Sequence, residues 1–134
     1  MPDYPYLGIL SAVSDTPTIK PLVWIAGSKK DLLAMPDAVQ DVFGYALHLA
    51  QTGSKHEQAK PLTGQGSAAV LEVVEDWQGD TYRAVYTVKF RAAVYVLHCF
   101  QKKATRGIAT PKPALDLIAH RLRTAEAHAK GTTS

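Results

Sequence analysis

AAVLEVVEDWQGDTYRAVYTVKFRAAVYVLHCFQ, residues 68–101, decides the fold. It divides into three runs rich in β-branched and aromatic residues, AAVLEVVE (68–75), TYRAVYTVKF (81–90) and AVYVLHCFQ (93–101). The runs are separated by DWQGD and by a short break at Arg91-Ala92, spacing that predicts consecutive hairpins in an antiparallel meander. Upstream, PLVWIAG (21–27) is an apolar run too short for a helix, ended by Gly27, and reads as a first strand. Ser28 reads as the N-cap of a helix SKKDLLAM, with Asp31 completing a weak capping box. Met35-Pro36 breaks the chain, and a second helix follows with Pro36 in its first turn. Val39, Val42, Phe43, Ala46, Leu47 and Ala50 form its apolar stripe, and Gly53 stops it. Residues 53–67 read as a polar loop, and Pro113 to about Lys130 as a last amphipathic helix. The expected order is β-α-α-β-β-β-α, an α+β domain over 20–130 behind a Pro-containing N-terminal arm, 1–19.

The chain has 134 residues, 46% of them hydrophobic, the composition and length of one globular domain. No stretch has the roughly 20 apolar residues of a membrane span, and the N-terminus does not read as a signal peptide. The lone Cys99 excludes an internal disulfide, which together with those absences points to the cytoplasm. Net charge is only +3, but between Tyr82 and Lys112 the chain carries Arg83, Lys89, Arg91, Lys102, Lys103, Arg106 and Lys112 with no acidic residue. That window predicts an anionic partner, and cations mounted on strands suit a phosphate backbone. The histidines are scattered and Cys99 has no C-x-x-C partner, so no metal site is expected; phosphate-loop and dinucleotide motifs are absent, so neither is a cofactor.

Strand alternation places Arg83, Val85, Thr87 and Lys89 on one face, with Tyr82, Ala84, Tyr86 and Val88 opposite. On the last strand His98, Phe100 and Lys102 share a face, with Leu97, Cys99 and Gln101 opposite. Antiparallel pairing then sets Arg83 beside the His98–Lys102 segment. Tyr82, Tyr86 and Tyr95 read as packing residues, and His48, His120 and His128 as helical histidines without a functional role. Arg83, His98, Lys102 and Lys103 are the candidate catalytic set, and Lys60, Lys89, Arg91, Phe100, Arg106 and Lys112 the candidate RNA contacts. Such a cluster suits transesterification of RNA, in which a 2′-hydroxyl attacks its neighbouring phosphate. His98 titrates nearest neutrality, Arg83 offers a planar fork for two phosphate oxygens, and the lysines offer point charges.

GSKKDLLAMP, AKPLTGQG, DTYRAVYTV and above all VYVLHCFQKK followed by TPK resemble the phage-derived HigB-like toxins of the RelE superfamily, over about 20–125. The resemblance implies a twisted antiparallel sheet packed by helices on one side. It further implies a type II toxin that cleaves mRNA in the ribosomal A site and is held inactive by an antitoxin, often of helix-turn-helix type, through which alone it would meet DNA. By the same resemblance Arg83 takes the position at the scissile phosphate, Lys102 a second basic position, and His98 and Phe100 the H-x-F element. One departure stands out: where many relatives carry catalytic lysines, this chain reads VLEVVED, with Glu72, Glu75 and Asp76. The proton acceptor therefore falls to His98 or Lys60, with Lys102 and Lys103 behind them. Two other functions compete: a non-catalytic RNA- or ribosome-binding protein of the same fold, and an accessory DNA-binding factor, which the acidic and alanine content of the last helix disfavours.

Overall fold

The computed structural model describes residues 19–64, 69–102 and 110–132. The strand β1 (Leu22–Trp24) precedes helices α1 (Ser28–Leu33) and α2 (Asp37–Gln51). A two-residue strand, β2 (Lys60–Pro61), and the strands β3 (Val70–Trp77), β4 (Asp80–Thr87) and β5 (Val94–Lys102) follow, and α3 (Lys112–Thr132) closes the chain. The five strands form one sheet in the order β1-β5-β4-β3-β2. The α+β class and the meander are as expected, but the sheet is mixed, because β1 pairs in parallel with β5, Leu22 opposite Val94.

The β3–β4 hairpin is tighter than the five-residue turn expected from DWQGD. Trp77 pairs with Asp80, leaving a two-residue loop of Gln78 and Gly79, both with positive φ (50° and 86°). That is the requirement of a type I′ turn, whose twist matches the strands it joins. β2 was not visible in the sequence because two residues have no period; its Pro61 is tolerated because β2 is an edge strand. Ser28 does not cap α1. Gly27 occupies the N-cap, and the buried Ser28 hydroxyl donates to the Val96 carbonyl at 3.2 Å, tying the helix start to β5. Gly53, at φ 86°, does end α2, its N–H donating to the Ala50 carbonyl.

Helices cover both faces, not one. The stripe of α2 (Val39, Phe43, Ala46, Leu47, Ala50) packs with Leu32 and Met35 on Leu71, Val73, Ala84, Tyr86, Val94 and Val96. The opposite face carries Ile118, Ala125 and Ala129 of α3 on Val70, Val85, Tyr95 and Leu97. Strands buried on both faces must be apolar at nearly every position, which is why VYVL and VLEVV run almost without polar interruption. At β5 a bulge intervenes: Val85 pairs with His98 and Tyr86 with Val96, so Leu97 is the extra residue. Leu97 thus joins Tyr95 in the α3-side core, not Cys99 on the opposite side as strict alternation predicted.

Candidate functional site

Arg83 sits in the middle of β4 and pairs across the ladder with Phe100, so His98 and Lys102 flank its partner on β5. The convergence expected from alternation therefore exists in register. What the sequence reading missed is the group that Arg83 touches. Its Nη1 donates to Glu72 Oε2 at 2.8 Å, with Arg83 2% and Glu72 5% exposed. Thr110 Oγ1, just ahead of α3, donates to the same carboxylate oxygen at 3.2 Å, and Lys60 Nζ lies 4.0 Å from the other. Charge-assisted, bridged and removed from water, this ion pair is rigidly held. A signal for it was present: Glu72 lies between Val70 and Val74 at strand period, a charge on the inward face of a buried strand.

Lys102 is buried as well, 7% exposed, opposite Thr81. His98 is half-buried, its ring stacked on Phe100 with centroids 4.4 Å apart and planes 17° from parallel. Arg121 of α3 donates to the Leu97 carbonyl at 2.9 Å and places its Nη1 3.3 Å from His98 Nδ1. Burial, reinforced by this guanidinium and only partly opposed by Asp31, pushes the His98 pKa down to about 4. The imidazole is therefore neutral at physiological pH and accepts at Nδ1. Next to it, burial and the Asp31 carboxylate push the Cys99 thiol up to about 12. Arg121, which the sequence alone does not single out, thus reinforces burial in keeping His98 neutral.

The acid-free window does not become one cationic face. Lys89 and Arg91 lie past the end of β4, away from Arg83, and line a surface hollow with Phe90 and Glu126. Lys89 pairs loosely with Glu126 at 3.9 Å, and Lys112 with Asp116 at 3.1 Å, one turn along α3. Acids from outside the window thus neutralise much of what looked unbalanced in one dimension. Lys60 stands exposed at the rim of the Glu72–Arg83 pair. Lys103 and Arg106 lie outside the described residues, as does the arm before residue 19. The tyrosines are packing residues as expected: Tyr86 is fully buried, its phenol pushed up to about 12 by burial, and Tyr95 bonds His128 Nδ1 at 2.7 Å.

Residues 30–123 match the model of a family described as phage-derived protein Gp49-like (DUF891), a RelE/HigB-like toxin family. The chain belongs to that family. The matched span runs from α1 into α3 and holds Glu72, Arg83, His98, Phe100, Lys102, Thr110 and Arg121. No curated protein matches the chain. For a Gp49-like chain the family suggests the role of a toxin in a toxin–antitoxin pair, of a kind associated with RNases, and hence a cognate antitoxin as partner. No described helix of this Gp49-like protein is long and apolar enough to cross a membrane.

Proposed function

We propose that this Gp49-like chain is the toxin of a type II toxin–antitoxin pair and an endoribonuclease that cuts mRNA on the ribosome. The reaction is metal-independent transesterification: the 2′-hydroxyl oxygen bonds to the adjacent phosphorus, the bond to the 5′-oxygen breaks, and the leaving oxygen takes up a proton. Its partners are the ribosome with its mRNA and an antitoxin, of helix-turn-helix type, through which DNA is met indirectly. The observation that carries the reading is Arg83 set at the centre of the sheet, with Phe100 beside it and Lys102 and His98 to either side. Arg83 and Lys102 stabilise the charge developing on the phosphate. The Glu72 carboxylate, 2.8 Å from the guanidinium, can accept the 2′-hydroxyl proton, whereas the neutral His98 ring already engages its one acceptor nitrogen, Nδ1, with Arg121. The carboxylate bonds the arginine directly, so we assign it the acceptor role and His98 a positioning one. Both cations are nearly covered in the free chain, which favours a reaction that waits for the ribosome to seat the RNA. The same burial favours a second reading, in which Glu72–Arg83 is only a structural ion pair in a protein that occupies RNA or ribosome without cutting.

Cleavage by the purified protein separates the two. On programmed ribosomes it is expected to cut mRNA far faster than free mRNA, leaving a 2′,3′-cyclic phosphate or 3′-phosphate and a 5′-hydroxyl. Lys102→Ala should lose roughly a hundredfold or more in the cutting step, the scale of one preorganised stabiliser. Lys89→Ala should only weaken ribosome association and its salt dependence. Intact mRNA on ribosomes that demonstrably bind the protein would establish the second reading, and a 5′-phosphate product would overturn the mechanism.

A further inference from the structure

Just past the end of β4, the chain and the last turns of α3 enclose a surface hollow of about 360 Å³, lined by Lys89, Phe90, Arg91, Glu126, Ala129 and Lys130. The size is at the lower end of ligand clefts, about 300–1,000 Å³. Ala129 and Lys130 follow Glu126 by three and four residues, so the three share one face of α3. The two walls are braced against each other. Phe90 meets Tyr95 edge to face, ring centroids 5.4 Å apart and planes 81° from parallel, and the Tyr95 hydroxyl lies 2.7 Å from His128 Nδ1 on α3. The Lys89 N–H donates to Thr87 Oγ1 at 3.1 Å, which holds the chain where it leaves the sheet. One face of Phe90 nonetheless looks outward, because Lys89 Nζ stands over it, 5.8 Å from the ring centroid.

We infer that this hollow is a second RNA site, separate from the Arg83 cluster: it takes one nucleotide of a single strand, with the base on the outward face of Phe90 and the phosphates on Lys89, Arg91 and Lys130. This deepens the proposed function and rests on it for the source of the RNA. Three observations support it. Cations around an aromatic face are the combination that holds single-stranded nucleic acid, the ring stacking a base and the charges following the backbone, and here three cations, all exposed, surround one ring with a single acid among them. Lys89 is held loosely, its Nζ 3.9 Å from Glu126 and its side chain 48% exposed, so a phosphate can take it over, and its departure uncovers the ring face for the base. Position sets the role. Arg83 and Lys89 are six residues apart, about 20 Å along an extended chain, so the nucleotide in the hollow is not the one being cut, and the site anchors RNA without taking part in the chemistry. An acidic peptide would satisfy the cations but would leave the outward ring face without a flat partner.

Two measurements test the site. In the first, ¹⁵N-labelled protein is titrated with the RNA hexaadenylate and, separately, with hexaglutamate. Hexaadenylate is expected to shift the amides of residues 89–91 and 126–130, and hexaglutamate to do so far more weakly. Phe90→Leu, which keeps an apolar side chain against Tyr95 but no stacking face, should weaken hexaadenylate roughly fivefold or more. Glu126→Gln removes the carboxylate that competes for Lys89 and should tighten it severalfold, a gain that a merely structural role for Glu126 does not produce. No shifts at these residues, an equal response to hexaglutamate, or weaker binding by Glu126→Gln would overturn the inference. In the second, Phe90→Leu is assayed for mRNA cleavage on programmed ribosomes, where KM should rise and kcat stay as in the parent; a fall in kcat at unchanged KM would also overturn it. A rise in KM that persists on mRNAs truncated close to the cut assigns the bound strand to ribosomal RNA, and one that vanishes assigns it to the message. Failure of the parent protein to cut any mRNA, with the hexaadenylate shifts in place, would refute the nuclease reading and leave the second RNA site standing.

Discussion

Replacing Glu72 with alanine strips the carboxylate from a guanidinium that is only 2% exposed and bonded to it at 2.8 Å. Two contributions oppose each other in such a pair: attraction in a low-dielectric interior, and the large cost of having removed both charges from water. Removing one partner forfeits the attraction while the desolvation of the other remains, which costs about 3–5 kcal/mol. Against the roughly 5–15 kcal/mol by which a domain is stable, that is a large fraction. With a urea slope of about 2 kcal/mol/M, the unfolding midpoint should fall by roughly 1.5–2.5 M. The melting temperature should drop by roughly 10–20 °C. Arg83→Ala should be comparably destabilised, so lost toxicity in that variant is not by itself evidence of chemistry. The double variant Glu72→Met/Arg83→Met removes both desolvation costs and fills the space with apolar atoms, and should return to within about 2 kcal/mol of the parent while remaining non-toxic. Urea melts of the four proteins, followed by circular dichroism, measure these differences. A Glu72→Ala protein within about 1 kcal/mol of the parent, or a double variant as unstable as the sum of the singles, would refute the account of a tightly coupled buried pair.

Two further outcomes follow from the electrostatics of β5. His98 should titrate near pH 4 in an NMR pH series, and Arg121→Gln should move that midpoint upward by removing a cation. Because its folded pKa lies below the unfolded value, the unfolded state binds the proton first; His98's contribution to stability is complete above about pH 6.5 and is lost as pH falls from there towards 4. A His98 midpoint at or above 6.5 would contradict the burial of the ring and its contact with Arg121. Cys99, 1% exposed with its thiol pushed up to about 12, should resist a thiol-disulfide reagent in the native state and react only at the rate of unfolding. Rapid labelling of native protein would show that the core around Cys99 opens without global unfolding.

The sequence by itself determined the elements whose signal is local. Period-two runs of valine and tyrosine specify β3, β4 and β5; Gln78-Gly79 permits the turn between the first two; and the stripe from Val39 to Ala50 specifies α2. Alternation also put Arg83 on the face of Val85 and opposite the His98–Lys102 segment, because hairpin register follows from the turn and the pleat. Only the tertiary structure decided what depends on contacts distant in the chain. β1 joins in parallel through a crossover, a bulge at Leu97 alters which side chains share a face, and α3 packs opposite the other two helices. Charge behaved the same way. A window without a single acid along the chain meets Glu72, Asp116 and Glu126 in space, since Coulomb attraction depends on distance between side chains and not on separation in sequence. The same distinction moves attention at the site from His98 alone to the Glu72–Arg83 pair: residue type marks His98 as the group that titrates near neutrality, but burial and Arg121 determine the pKa it has.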